Sequence, residues 1–124
     1  LDQGVGVIPW SPLARGLLTG NRTRDDTRHT VRAAADPFSD HLYGRDDDFA
    51  VAEATAAVAK AAGVAPAQVA LAWLLRQPAV TAPIVGATRA QHVADAIAAV
   101  RLELDDAQQA ALTAPYQPHP VLGH

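Results

Sequence analysis

Two short apolar runs frame the middle of the chain, and a helical pattern lies between them. Residues 5–8 and residues 80–85 are apolar runs bounded by turn residues, which predicts two buried strands. Between them, apolar positions recur at spacings of four, three and four, as expected for one face of a helix: Val51, Thr55, Val58 and Ala62. A strand, a helical crossover and a second strand form a β-α-β unit, so we expect the two strands to be parallel.

Residues typical of helix starts and helix ends predict the bounds of two helices in the crossover. Three carboxylates at residues 46–48 suit the positive end of a helix dipole, and Gly63 suits the end of that helix. Pro66 then suits the first position of a second helix, and Gln77-Pro78 ends it. The apolar stripe of this second helix includes Trp73, which we expect to pack in the core.

Two further helices follow the second apolar run. Residues 88–100 form the first, with Thr88 and Gln91 as a capping box. Its apolar residues, which we expect to face inward, are Val93, Ile97 and Val100. A short helix then starts at Asp105, pairs that residue with Gln108, and runs to about Leu112.

Each apolar run leads into a corner where a helix begins. The first corner, residues 10–20, reads Trp-Ser-Pro-Leu-Ala-Arg-Gly-Leu-Leu-Thr-Gly, with Ser11 as the predicted N-cap and Pro12 at the first helical position. The N–H groups of a helix start attract phosphate, Gly16 permits close approach, and the indole of Trp10 offers a face for stacking. A core position for Trp10 is the alternative interpretation.

The second corner, residues 83–89, has the same chemical character. It reads Pro-Ile-Val-Gly-Ala-Thr-Arg, again an apolar run, a glycine and a helix start. Two such corners suit two anionic groups, and in a (β/α)8 barrel the usual phosphate site lies in the loops after strands 7 and 8.

These two corners carry a resemblance to the aldo-keto reductases. The first resembles the strand-7 cofactor segment of that family, and residues 83–95 resemble its strand-8 segment, with the bacterial reductases and the potassium-channel β-subunits as the most similar branch. The resemblance implies an α/β fold, the C-terminal portion of a (β/α)8 TIM barrel with about the last two βα units, a C-terminal helix and a tail. Residues 1–124 would then be a partial oxidoreductase domain that uses NADPH to reduce a small carbonyl substrate.

Bulk properties agree with a part of such an enzyme. The chain has 124 residues, whereas a complete barrel needs about 250, and it begins with Leu1 and contains no Met, so we expect a fragment or a processed chain. A net charge of −3 argues against a nucleic-acid surface, and the absence of cysteine excludes disulfides and thiolate ligands. No stretch is typical of a signal peptide or a membrane span, so we expect no membrane partner and a cytoplasmic location. We expect no metal site, because helix capping accounts for the carboxylates at 46–48.

The resemblance implies cofactor contacts residue by residue. Trp10 matches the aromatic that stacks on the nicotinamide. Positions that contact the pyrophosphate match Ser11, Leu13 and Gly16, and Pro12 belongs to the same cofactor-binding segment. The alternative is ordinary packing and capping.

The second corner matches contacts to the adenosine end of NADP. Gly86 and Thr88 match the turn at the adenosine phosphate, and Arg89 and His92 match positions that face the ribose, where a guanidinium can pair with a 2′-phosphate. Asp95 matches an acidic residue near the adenine amine. Ala96 stands where the family often has Asn, so one adenine hydrogen bond should be missing.

No catalytic residue is assigned to this chain. The family uses an Asp/Tyr/Lys/His tetrad, and the resemblance places all four members upstream of Leu1. The arginine-rich residues 21–45 are either a surface loop or a loop that folds over the cofactor, and Asn21 stands where the family often has Lys or Arg. Two other functions remain open, a non-catalytic NADP-binding regulatory subunit and an inactive truncated gene product. The sequence does not fix the oligomeric state.

Overall fold

Four α-helices and one 3-10 helix make up the regular structure in this computed structural model, which describes residues 2–21, 42–118 and 120. The 3-10 helix is Ala14–Thr19, with non-helical backbone at Arg15 and Gly16. The α-helices are α1 (Asp46–Ala62), α2 (Pro66–Leu75), α3 (Ala90–Arg101) and α4 (Asp106–Thr113).

Local signals fix the starts of three helices as the sequence predicts. The Asp48 carboxylate accepts the backbone N–H of Arg45 at 3.0 Å in the first turn of α1, and Gly63 closes that helix with φ 68°. Pro66 is the first residue of α2. At α4, Asp105 accepts the N–H of Gln108 at 2.8 Å, and the Gln108 side chain accepts the N–H of Asp105 at 2.9 Å. The predicted capping pair is therefore confirmed.

The core lies between α1, α2 and α4. Its buried members share apolar side chains and come from all three helices and the segment before α4: Val58, Ala59, Val69, Ala72, Leu104 and Leu112. Trp73 packs against this cluster and its indole N–H donates to the Thr113 hydroxyl at 3.3 Å, which agrees with the packing role predicted for it. The buried hydroxyl of Thr55 donates to the Val51 carbonyl at 2.8 Å, so its burial leaves no unsatisfied donor.

The two apolar runs pair in parallel, but they do not form regular strands. The N–H of Val7 donates to the Ala79 carbonyl at 2.7 Å, and the N–H of Thr81 donates to the Val7 carbonyl at 2.8 Å. Only two parallel bridges, Val7 with Val80 and Trp10 with Ile84, join the segments in the part of the chain that is described. The prediction of strands over residues 5–8 and 80–85 is wrong in this respect, since an isolated pair of strands is marginal without further strands or covering helices.

The inward face of α3 differs from the predicted one. Val93, Ile97 and Val100 are 49%, 56% and 72% exposed, whereas Ala99 is 1% exposed. Helix α3 packs most extensively against α2, and a small residue at the contact lets two helices approach closely. The apolar stripe of α3 is therefore turned away from the described core.

No single helix in residues 2–21 and 42–118 is long and apolar enough to cross a membrane. Helices α1 and α2 reach that length and hydropathy only when taken together, and a bend of 103° separates them.

Candidate functional site

The two corners lie side by side. Trp10 and Ile84 form a parallel bridge, and the N–H of Ile84 donates to the Pro9 carbonyl at 2.9 Å. Because the segments run parallel, their carboxyl ends reach the same edge, and ligands of parallel α/β sheets bind at that edge. Trp10 of the first corner and Gly86 of the second therefore both lie at the carboxyl end of the paired segments.

Trp10 is a surface residue. Its side chain is 67% exposed, and its bridge partner Ile84 is 53% exposed. The alternative interpretation, that Trp10 packs in the core, disagrees with this exposure. An exposed indole beside an exposed aliphatic side chain presents a flat apolar surface on which an aromatic ring can stack.

The backbone of the first corner differs from the predicted helix start. The 3-10 helix begins at Ala14, its N-cap is Leu13, and no side chain caps it. Ser11 has φ 51°, and its carbonyl accepts the N–H of Ala14 at 3.0 Å. The prediction of Ser11 as N-cap and Pro12 at the first helical position is wrong, because Ser followed by Pro also favours a β-turn, and the chain forms that turn before the helix starts.

Backbone strain is concentrated in the first corner. Ser11, Ala14 and Arg15 are non-glycine residues with φ of 51°, 48° and 53°, and Gly16 follows with φ 99°. Each left-handed non-glycine residue costs about 1–2 kcal/mol. Strain of this kind collects at ligand-binding segments. Here it affects Ser11, which is matched to the pyrophosphate contacts, and Ala14 and Arg15, which precede the matched residue Gly16.

Two packing contacts hold this strained segment in place. Leu17 is 2% exposed, and the 3-10 helix that carries it packs against α1. At the end of the corner, Gly20 lies so close to α2 that an added Cβ would stand 3.3 Å from Pro66 Cγ. The first corner is therefore positioned from both sides by the helices of the crossover.

The second corner also lacks the predicted cap. Helix α3 begins at Ala90 with Arg89 as N-cap, and no side chain caps it. The backbone N–H of Thr88 donates to His92 Nδ1 at 3.3 Å, and the Gln91 amide donates to Asp95 Oδ1 at 3.1 Å. The prediction of a Thr88–Gln91 capping box is wrong, because the Gln91 side chain binds Asp95, one turn further along the helix, and not the backbone of Thr88.

The candidate residues of the second corner divide by exposure. Gly86, Thr88 and Arg89 are exposed, whereas His92 and Asp95 are half-buried. Asp95 Oδ1 also accepts the side-chain amide of Gln68, in the first turn of α2, at 2.8 Å. Sequence reasoning missed Gln68, since its partner lies 27 residues away. The available signal was a lone side-chain amide in the otherwise apolar sequence of α2.

Tyr43 lies near the first corner. Burial raises the pKa of its phenol above the ordinary value of 10.0, the charge of Arg15 partly offsets this, and Asp48 adds to it. The phenol is therefore held in its neutral form near Arg15. The arginine-rich part of residues 21–45, on which the predicted cofactor loop depends, lies mostly outside the described residues.

Comparison with known protein sequences shows the family of this chain. Residues 1–116 match the Aldo/keto reductase family. A Schizosaccharomyces pombe protein named "Putative aryl-alcohol dehydrogenase" is 39% identical over 120 residues, which cover 97% of this chain and 33% of that protein. A Fusarium vanettenii aldo-keto reductase is 34% identical over 99% of this chain and 32% of its own length.

A relative from another functional class also matches. The Arabidopsis thaliana protein named "Probable voltage-gated potassium channel subunit beta" is 33% identical over 80% of this chain and 31% of its own length. The chain thus spans about a third of the length of the curated relatives that it matches.

Proposed function

The chain belongs to the aldo/keto reductase family, and from this premise we propose that residues 1–124 are the cofactor-binding, C-terminal part of a (β/α)8-barrel oxidoreductase. The reaction is hydride transfer from NADPH to an aldehyde or ketone. NADPH, when bound, supplies the hydride, and the residues of this chain bind the cofactor and orient it.

One observation carries the proposal: the bridge between Trp10 and Ile84, with Trp10 67% exposed. A dinucleotide has a ring at one end, an anionic centre and a nucleoside at the other end. The paired ribbon offers a stacking surface at its edge and leads directly into two corners. The nicotinamide stacks on Trp10, which selects the face that presents the hydride.

The anionic centre of the cofactor lies along the first corner. Residues Ser11 to Gly16 hold the pyrophosphate, with Pro12 and Leu13 as part of the turn. The left-handed backbone from Ala14 to Gly16 supports this assignment, since strained backbone of this kind collects at ligand-binding segments.

The second corner binds the adenosine end. Gly86 and Thr88 lie at the adenosine phosphate, and Arg89 pairs with the 2′-phosphate of NADP. The exposure of Arg89 at the N-cap of α3 supports this role, because a guanidinium there reaches a phosphate together with the N–H groups of the first turn. His92 faces the ribose and Asp95 the adenine.

A non-catalytic, NADP-binding regulatory subunit is the second candidate, and the similarity to the Arabidopsis potassium-channel relative favours it. Both candidates share the two corners, so cofactor binding does not separate them. Catalytic turnover does separate them.

The full-length gene product is mixed with NADPH and 4-nitrobenzaldehyde, and the loss of nicotinamide absorbance is followed. Sustained oxidation that depends on protein and aldehyde supports the reductase, whereas NADPH binding without turnover of reactive aldehydes supports the regulatory subunit. Failure to bind NADPH contradicts both.

A further inference from the structure

Gln68 carries the lone side-chain amide of helix α2, whose sequence is Pro-Ala-Gln-Val-Ala-Leu-Ala-Trp-Leu-Leu. It lies in the first turn, directly before the buried pair Val69 and Ala70. Its side chain is half-buried and crosses to α3, where Nε2 donates to Asp95 Oδ1 at 2.8 Å. This bond is a polar link between the two helices.

Asp95 receives two amides on one oxygen. Gln68 donates to Oδ1 from α2, and Gln91 donates to the same oxygen at 3.1 Å from one turn earlier in α3. A carboxylate group turns easily about its last torsion, and two donors on one oxygen remove that freedom. The second oxygen, Oδ2, has no hydrogen bond within the described part of the chain, so it remains an oriented acceptor.

The first turn of α2 contacts both corners. Pro66 packs against Gly20 at the end of the first corner, and two residues later Gln68 binds Asp95 beyond the second. The position of Asp95 relative to the first corner is therefore set through α2 as well as along the chain.

Building on the proposed function, we propose that Gln68 is a positioning residue that orients Asp95 toward the adenine ring and thereby sets the preference for adenine over other purines. Adenine presents an amino donor at C6, which Asp95 Oδ2 accepts. Hypoxanthine presents a carbonyl oxygen at the same place, and two acceptors that face each other leave both without a donor. Without Gln68 the carboxylate turns, and the distinction between the two bases weakens.

The test compares NADPH with deamino-NADPH, which carries hypoxanthine in place of adenine and is otherwise identical. Dissociation constants are measured for the full-length gene product by the fluorescence of the reduced nicotinamide. A hydrogen bond to a charged group corresponds to roughly a tenfold to hundredfold change in affinity, so the unmodified protein should prefer NADPH by about that factor. In Gln68→Ala the preference should fall to about threefold or less.

Two further variants make the result specific. Gln68→Met keeps the length and the apolar stem of the side chain but removes the donor, and it should lose the preference as Gln68→Ala does. Gln77→Ala is the matched control, because the Gln77 amide donates to the Trp73 carbonyl at 3.0 Å and has no bond to Asp95. It should keep the preference of the unmodified protein.

The outcomes separate this inference from the proposed function. If the unmodified protein binds neither dinucleotide, the proposed function and the inference fail together. If it binds NADPH and deamino-NADPH equally, only the inference fails. If Gln68→Met weakens both dinucleotides by the same factor and the preference stays, Gln68 has a structural role alone, and the inference is overturned.

Discussion

The backbone N–H of Ile84 donates to the carbonyl oxygen of Pro9 at 2.9 Å, and this bond joins the two corners of the chain. It lies next to the parallel bridge between Trp10 and Ile84, so the indole and the second corner emerge at the same edge. The distance between the predicted nicotinamide and adenosine positions thus depends on pairing between segments more than 70 residues apart in sequence.

Arg89 should set the preference for NADPH over NADH. Arg89 is exposed at the N-cap of α3, and its side chain makes no capping bond, so Arg89→Ala should leave folding intact. A charge-assisted pair with a 2′-phosphate contributes roughly 1.5–3 kcal/mol, so NADPH affinity should fall about tenfold to hundredfold while NADH affinity barely changes. Fluorescence titration of the full-length gene product measures both. Arg101→Ala, at the other end of the same helix, is the control; equal losses for NADPH and NADH in Arg89→Ala would assign Arg89 a structural role.

The isolated 124-residue chain should not reduce carbonyl compounds. No residue of the chain is assigned to the catalytic tetrad of the family, and binding residues alone do not supply a proton donor. Purified chain with NADPH and 4-nitrobenzaldehyde should show no absorbance loss above that of a heat-treated sample. Sustained oxidation by the isolated chain would mean that a proton donor lies within it.

The isolated chain should also associate through the exposed face of α3. Val93, Ile97 and Val100 lie on one stripe and are each at least 49% exposed, and exposed apolar patches recruit other chains. Ile97→Gln should shift the chain toward the monomer in size-exclusion chromatography. Ala94→Gln, an exposed change off the stripe, should not. A sharp, reversible melt of an unmodified monomer would contradict this prediction.

Features that depend on neighbouring residues could be predicted from the sequence, whereas features that depend on long-range contacts could not. The starts of α2 and α4 follow from Pro66 and from the Asp105–Gln108 pair, since both act within one turn. The cap at Ser11 fails for a local reason as well, because Ser-Pro suits a β-turn equally, and nothing in the sequence ranks the two.

The faces of the helices needed tertiary information. Periodicity correctly groups Val93, Ile97 and Val100 on one stripe, but it does not tell which face of α3 packs against α2. The buried face is the one that carries Ala99. The bond between Gln68 and Asp95 joins two helices across the intervening paired segment. No local pattern predicts such a bond.

The Tyr43 phenol predicts a pH dependence of stability. Its pKa in the folded chain is raised by burial, with Arg15 opposing and Asp48 adding, so the folded state holds the proton more tightly than the unfolded state does. This contribution to stability is complete below pH 10 and is lost as the pH rises from there through the folded pKa. In urea unfolding of the full-length gene product, the free energy of unfolding should fall less at alkaline pH in Tyr43→Phe than in the unmodified protein. Tyr116→Phe, at a side chain that is 56% exposed, should keep the loss of the unmodified protein.

The most direct test of the two-corner site is a calorimetric titration of Trp10→Ala, in the full-length gene product, with NADPH and with 2′,5′-ADP. The second ligand has the adenosine end of the cofactor and no nicotinamide. An aromatic stack contributes about 0.5–1.5 kcal/mol beyond the area that it buries, so NADPH should bind several-fold to tenfold or more weakly, while 2′,5′-ADP should bind as to the unmodified protein. Trp73→Phe, a change at a residue that packs against the core, controls for the loss of an indole. Unchanged NADPH affinity in Trp10→Ala, or equal weakening of both ligands, would contradict the account of two corners that hold the two ends of one cofactor.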